Sequence, residues 1–156
     1  MVIYASEQCH YSIDKSADIL GLGREAVRKI PTDGRFHISL EGLREAIGND
    51  RNAGRVVCCI VGVAGTTSTG VIDPLAELGK IADETCCWYH IDAAYGGPLA
   101  FSTQHNHKLR GITQANSVTF DPHKWMFVPF SCGATLVRDG GRVLRDAFDS
   151  VARVFE

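Results

Sequence analysis

The sequence predicts an α/β fold built on a mostly parallel sheet. Residues 56–63 form a near-continuous apolar run, which is typical of a parallel strand covered on both faces. The segment after it alternates strand-like and helix-like patterns, and Asp73-Pro74 has the residue types that begin a helix. Strand, helix and strand in this order favour a right-handed parallel crossover. The 156 residues are enough for one domain with a hydrophobic core.

The remaining elements follow from the spacing of the apolar residues. Ser12 and Asp73 are candidate N-caps, whereas Gly21 and Gly48 are candidate helix ends, with a polar loop expected after Gly48. Strands are predicted over residues 2–6, 26–30, 56–63, 86–91, 118–120 and 132–138. Helices are predicted over residues 11–20, 39–47 and 142–155, together with the one that begins at Asp73.

Composition excludes several classes of protein. The net charge of −2 argues against a protein that binds nucleic acid through a basic surface. No stretch is long and apolar enough to span a bilayer, and the N-terminus does not resemble a signal peptide. The six cysteines include two adjacent pairs and no C-x-x-C spacing, so we expect reduced thiols rather than structural zinc or disulfides, and a cytoplasmic location.

The candidate catalytic residue is Lys124. It follows a predicted strand that ends at Asp121-Pro122, because proline donates no hydrogen bond to a sheet. Ligands bind at the carboxyl ends of such strands. Residues 125–130 are apolar and are expected to exclude water from Lys124, and a desolvated lysine loses its proton more easily and can form a Schiff base. The alternative is an ordinary surface lysine.

Other candidates also lie past predicted strands. His10 and Asp92 each follow one, although a lone histidine or aspartate there is often a surface, turn or cap residue. Residues 64–70 are small and allow a ligand to approach, but they lack the lysine of a nucleotide-binding P-loop, and the alternative is a plain turn. His105 and His107 have no third ligand nearby, so no metal site is predicted.

Four motifs in this order resemble the group II pyridoxal-phosphate-dependent amino-acid decarboxylases. They are the Ser6-x-x-x-His10 segment, Gly65-Thr66-Thr67 with the later Asp73, His90-x-Asp92-Ala-Ala-Tyr95, and the segment 117–125. The resemblance covers nearly the whole chain and implies the three-layer, mostly parallel α/β fold of the fold-type I transferase large domain. One departure is Asp121, which stands where some relatives carry asparagine.

The resemblance also implies a role for each matching residue around pyridoxal 5'-phosphate (PLP). Lys124 would bind the cofactor as a Schiff base, and the carboxylate of Asp92 would keep its pyridine nitrogen protonated, so that the ring accepts electrons. His10 would stack on the ring, and Ala94 would pack under it. Thr67 would lie near the cofactor, and the phosphate would be contacted by Ser117 and His123.

The implied reaction is decarboxylation of an L-amino acid to the amine and carbon dioxide, which is lyase chemistry. Two alternatives stay open: a non-catalytic fragment or pseudoenzyme, and another PLP reaction such as transamination or oxidative deamination. The resemblance also implies that residues 1–156 are a partial PLP-binding large domain, without the N-terminal segment and the small C-terminal domain. Full-length relatives are expected to be homodimers, and the sequence does not identify the substrate.

Overall fold

A single six-stranded sheet organises residues 1–148, which are the residues that the computed structural model describes. The strands are β1 (Val2–Ser6), β2 (Val27–Ile30), β3 (Val57–Val63), β4 (Trp88–Asp92), β5 (Ser117–Phe120) and β6 (Ala134–Val137). Their order across the sheet is β2-β1-β3-β4-β5-β6. Strands β1 to β5 are parallel, and β6 pairs antiparallel with β5 at one edge. The prediction of a mostly parallel sheet is confirmed.

Helices cover both faces of this sheet. The α-helices are α1 (Ser12–Ile19), α2 (Leu40–Asn52), α3 (Leu75–Thr85), α4 (Pro122–Trp125) and α5 (Gly140–Phe148). Neighbouring residues of a strand point to opposite faces. Accordingly, Ile60 packs in one buried cluster with Leu43 and Leu78 of α2 and α3, whereas Val61 packs in another with Ala17 of α1. The predicted arrangement of helix, sheet and helix layers is therefore confirmed.

Helix α2 is longer than the sequence predicts. The prediction that Gly48 ends it was wrong, because α2 continues to Asn52. Asp50 explains the difference, since it lies buried on the core side and accepts a hydrogen bond of 3.0 Å from the Tyr4 hydroxyl. That buried contact outweighs the cost of about 1 kcal/mol for a glycine inside a helix. The chain reverses instead at Gly54, whose φ is +72°.

Asp73 does not cap α3 as predicted. The capping position belongs to Pro74, and no side chain caps the helix. Instead, Asp73 is 3% exposed, and its two carboxylate oxygens accept the backbone N–H groups of Ile38 and Val63, each at 2.9 Å. This carboxylate therefore joins the end of β3 to the segment before α2. Ser12 is likewise the first residue of α1 rather than its cap.

Other boundaries differ by small amounts. Gly21 follows the end of α1 as predicted, with φ of +74°. Strand β4 begins at Trp88 rather than at residue 86, because Cys86 has a left-handed conformation that ends α3. Helix α5 overlaps the helix predicted over residues 142–155, whose last part, residues 149–155, lies outside the described residues.

All six cysteines lie in the described part of the chain, and each is a free thiol. Burial raises the pKa of Cys59 to about 12, so this thiol remains protonated at neutral pH. Within residues 1–148, no helix has the length and apolar character needed to cross a membrane. The cytoplasmic location stays a prediction.

Candidate active site

The carboxyl ends of the parallel strands border a pocket with a volume of about 360 Å³. This size falls within the usual range for small-molecule sites. Five of the seven residues singled out in the sequence line it: His10, Thr67, Asp92, Ala94 and Lys124. They come from four separate loops or strand ends, so the parallel sheet brings together residues that are far apart in sequence.

Asp92 is the last residue of β4, and its carboxylate lies at the pocket wall. In the sheet it pairs with Val63 of β3 on one side and Thr119 of β5 on the other. Its Oδ1 accepts the backbone N–H of Ala94 at 3.1 Å. This contact fixes the side chain at the turn that leaves the strand, and the other carboxylate oxygen stays available to a ligand.

Lys124 lies in the short helix α4, directly beyond the end of β5. Its Nζ is 2.8 Å from Oδ2 of Asp121, and its side chain is 41% exposed. An ion pair of this kind holds the flexible lysine side chain in one geometry. Asp121 therefore pairs directly with the candidate catalytic amine.

The apolar run after Lys124 does not exclude water as predicted. Within residues 1–148, Phe127 and Phe130 are 91% and 87% exposed, and Trp125 is 42% exposed. The Trp125 ring stacks on Tyr95, with a centroid separation of 5.2 Å, instead of covering the amine. The prediction of an apolar cover was wrong, because these side chains are themselves exposed and the Lys124 side chain is 41% exposed.

His10 lies at the pocket wall just before α1. Its Nδ1 accepts the backbone N–H of Ser12 at 3.3 Å and lies 2.9 Å from the Ser12 hydroxyl. These contacts use Nδ1 as an acceptor, so a neutral His10 carries its proton on Nε2. The contacts also fix the orientation of the ring at the mouth of the pocket.

The loop after β3 forms another wall. Gly65 has φ of +94°, and a side chain there would lie 3.2 Å from the backbone nitrogen of Gly96. Thr66 is buried, and its Oγ1 contacts Thr69 and accepts the N–H of Val71. Thr67 is exposed and faces the pocket. The loop is therefore held internally by Thr66, which leaves the Thr67 hydroxyl free for a ligand.

Two predicted site residues lie elsewhere. Ser117 is 7% exposed at the amino end of β5, where its Oγ accepts the Trp88 Nε1–H at 2.8 Å. Ser117 is not itself among the pocket-lining residues, although its Oγ lies 2.8 Å from Nδ1 of His90, which is one of them. The His123 ring contacts the carbonyl oxygen of Cys132 at 2.6 Å through Nδ1 and is also absent from the pocket lining.

The pocket-lining residues that sequence reasoning missed include His90, Thr119 and Asp121. The signal was available, since His90 lies two residues before Asp92 on the same strand and therefore on the same face. Burial lowers the pKa of His90, although the charge of Asp92 opposes this shift. Among residues 1–148, no group of three or more His, Cys, Asp or Glu side chains is arranged to hold a metal ion.

The pocket residues fit PLP chemically. An amine and a carboxylate border the same space, and the small residues Gly65 and Ala94 leave room for a flat ring. PLP needs an amine for its aldehyde and an acid for its ring nitrogen. The donor set therefore suits this cofactor better than it suits a metal ion.

Comparison with known proteins agrees with this chemistry. Residues 1–151 match the model of the pyridoxal-dependent decarboxylase conserved domain. The chain is 43% identical over 138 residues to L-2,4-diaminobutyrate decarboxylase of Rhizobium meliloti, covering 88% of this chain and 28% of the relative. It is 40% identical over 141 residues to phenylacetaldehyde synthase of Petunia hybrida, with 89% and 28% covered.

A solved structure agrees as well. The crystal structure of mouse CSAD superposes with a TM-score of 0.94 at 35% identity, covering all of this chain and 33% of that one. The chain thus spans about a quarter to a third of the length of the relatives it matches. It belongs to the pyridoxal-dependent decarboxylase family, whose cofactor is PLP.

Proposed function

We propose that this chain forms part of the active site of a PLP-dependent decarboxylase, which converts an L-amino acid to the amine and carbon dioxide. The observation that carries the proposal is the single pocket bordered by both the Lys124 amine and the Asp92 carboxylate. When bound, PLP supplies an electron sink for the electron pair left on the substrate's α-carbon.

The two charged residues have separate roles in this proposal. Lys124 is the residue whose amine would hold the aldehyde group of the cofactor and leave it accessible to the amino group of the substrate. Asp92 keeps the pyridine nitrogen protonated, because a carboxylate next to a basic nitrogen favours its charged form. The ion pair of 2.8 Å between Asp121 and Lys124 orients the amine before the cofactor binds.

The uncharged residues position the ring and the phosphate. His10 and Ala94 both line the pocket, and in this proposal His10 would contact the flat face of the ring while the small Ala94 side chain would leave space for it. Thr67 offers its hydroxyl to a polar group of the ligand, and His123 is kept as a proposed phosphate contact. Ser117 is withdrawn from the phosphate contacts, because its oxygen is buried and engaged at the far end of β5.

A homodimer and a cytoplasmic location are part of the same proposal. The side chains of Trp125, Phe127 and Phe130 are exposed next to the site. Large exposed apolar patches usually mark contact surfaces, so these side chains support a contact with a second subunit there. Sedimentation analysis tests the dimer: we expect twice the chain mass of 17.0 kDa, and a mass of one chain at all concentrations contradicts it.

The reaction is tested with aromatic, acidic and basic amino acids that carry ¹⁴C in the α-carboxyl group. With PLP added, we expect labelled carbon dioxide and the corresponding amine from at least one of them. Lys124→Ala should abolish release, whereas Lys80→Ala, an exposed lysine on α3, should not change it. Absence of release from the wild-type chain with every amino acid contradicts the decarboxylase proposal.

The products also distinguish the alternatives. The similarity to phenylacetaldehyde synthase favours a second candidate, in which the product is an aldehyde instead of an amine and an external oxidant is consumed. A keto acid without carbon dioxide would identify transamination. PLP bound to Lys124 without turnover would identify a non-catalytic fragment.

A further inference from the structure

Four polar side chains below the pocket form a continuous hydrogen-bond chain. Trp88 Nε1 lies 2.8 Å from Ser117 Oγ, which lies 2.8 Å from His90 Nδ1. The opposite ring nitrogen, His90 Nε2, lies 3.1 Å from Thr119 Oγ1. This hydrogen-bond chain begins at the partly buried Trp88 and ends at Thr119, which lines the pocket beside its sheet partner Asp92.

The first link fixes the direction of this chain. An indole nitrogen only donates, so Ser117 Oγ must accept from Trp88. Ser117 is 7% exposed, and within residues 1–148 the acceptor in reach of its own hydrogen is His90 Nδ1. If Nδ1 carried the proton instead, the Ser117 hydrogen would be buried without an acceptor, which is unfavourable.

The direction then passes through the histidine ring. With Nδ1 accepting from Ser117, a neutral His90 carries its proton on Nε2 and donates it to Thr119 Oγ1. The Thr119 hydroxyl thereby has one lone pair occupied, and its hydrogen remains free to be donated. Burial also lowers the pKa of His90, which favours the neutral ring at neutral pH.

We propose that Ser117 and His90 are positioning residues that turn Thr119 into a hydrogen-bond donor at the floor of the pocket. This donor is neutral, so it suits an oxygen of the bound ligand that accepts a hydrogen bond. The part that concerns the ligand rests on the proposed function, with PLP as the group that is bound. The direction of the chain does not depend on it.

The direction of the hydrogen-bond chain is measured without PLP. In ¹⁵N-histidine-labelled protein, a long-range ¹H–¹⁵N correlation spectrum reports which ring nitrogen carries the proton, and His90→Gln assigns the signal. We expect the Nε2–H form of His90 in about tenfold or greater excess. Ser117→Ala should bring the two forms within a few-fold of each other. Ser102→Ala removes a hydroxyl that accepts the backbone N–H of His105 and should change nothing.

The ligand contact is measured by absorbance titration with PLP. We expect Thr119→Val to weaken PLP binding about tenfold while the Nε2–H form of His90 persists, and Thr119→Ser to restore the affinity. A predominant Nδ1–H form in the wild-type chain, or an unchanged form in Ser117→Ala, overturns the proposed direction. Equal affinity of wild type and Thr119→Val overturns the role of Thr119.

A third outcome separates the two proposals. If His90 is in the Nε2–H form but the wild-type chain binds no PLP, the function proposed above is contradicted together with the Thr119 contact. The proposed direction of the hydrogen-bond chain is then still supported. If PLP binds and His90 is in the Nδ1–H form, only the proposed direction of the hydrogen-bond chain is contradicted.

Discussion

Removal of the Asp73 carboxylate should destabilise the protein strongly. Its two oxygens accept the N–H groups of Ile38 and Val63, and the residue is 3% exposed, so water does not reach these groups when the carboxylate is absent. Each buried N–H without a partner costs about 1–3 kcal/mol. Asp73→Ala should therefore lower the free energy of unfolding by about 2–6 kcal/mol, which is a large part of the usual total.

Asp33 provides a matched control. Its carboxylate also accepts two backbone N–H groups, those of Arg35 and His37, but its side chain is 50% exposed. Water replaces the lost acceptor there, so Asp33→Ala should cost about 0.5–1 kcal/mol. Urea unfolding followed by circular dichroism measures both variants. Equal losses for Asp73→Ala and Asp33→Ala would refute the argument, because the two carboxylates accept the same number of backbone N–H groups and differ in burial.

Three further predictions concern stability. Gly96→Ala should cost about 1–3 kcal/mol, because the added carbon would lie 2.3 Å from the Ala64 carbonyl oxygen; thermal unfolding with an unchanged Tm contradicts this. Gly48→Ala, in open space within α2, should stabilise by about 0.5–1 kcal/mol in the same assay, and a loss would contradict it. Burial opposes ionisation of Asp50, but hydrogen bonds from Arg55 and other donors outweigh it and hold its pKa below 3.8. The stabilisation from the ionised Asp50 is thus present above about pH 3.8 and lost as the pH falls through the folded-state pKa. The unfolding free energy of Asp50→Asn should therefore depend less on pH in acid than that of the wild type. An equal pH dependence of the two proteins contradicts the prediction.

The sheet and the central pair of the site were predictable because they follow from local patterns. The apolar run of β3 and the Asp-Pro break after β5 are determined by nearby residues, and they put Asp92 and Lys124 at neighbouring strand ends. The pairing of Lys124 with Asp121 was not predicted, although the two residues are only three apart.

Errors arose where tertiary contacts override local signals. Gly48 has the residue type of a helix end, but the buried contact of Asp50 with Tyr4 keeps α2 continuous beyond it. Ser117 matches a family motif, yet it is at the wrong end of β5 to reach the pocket. Burial of a side chain depends on elements far away in sequence, so neither result was accessible from local spacing.

The central claim is that the Lys124 amine serves the pocket that also holds the Asp92 carboxylate. Its most direct test is reduction with borohydride after addition of PLP, followed by mass spectrometry of the peptides. We expect the pyridoxyl group on Lys124 in preference to the other four lysines, and a marked loss of this labelling in Asp92→Ala. Labelling spread evenly over all lysines, or labelling of Lys124 that Asp92→Ala leaves unchanged, would contradict the claim.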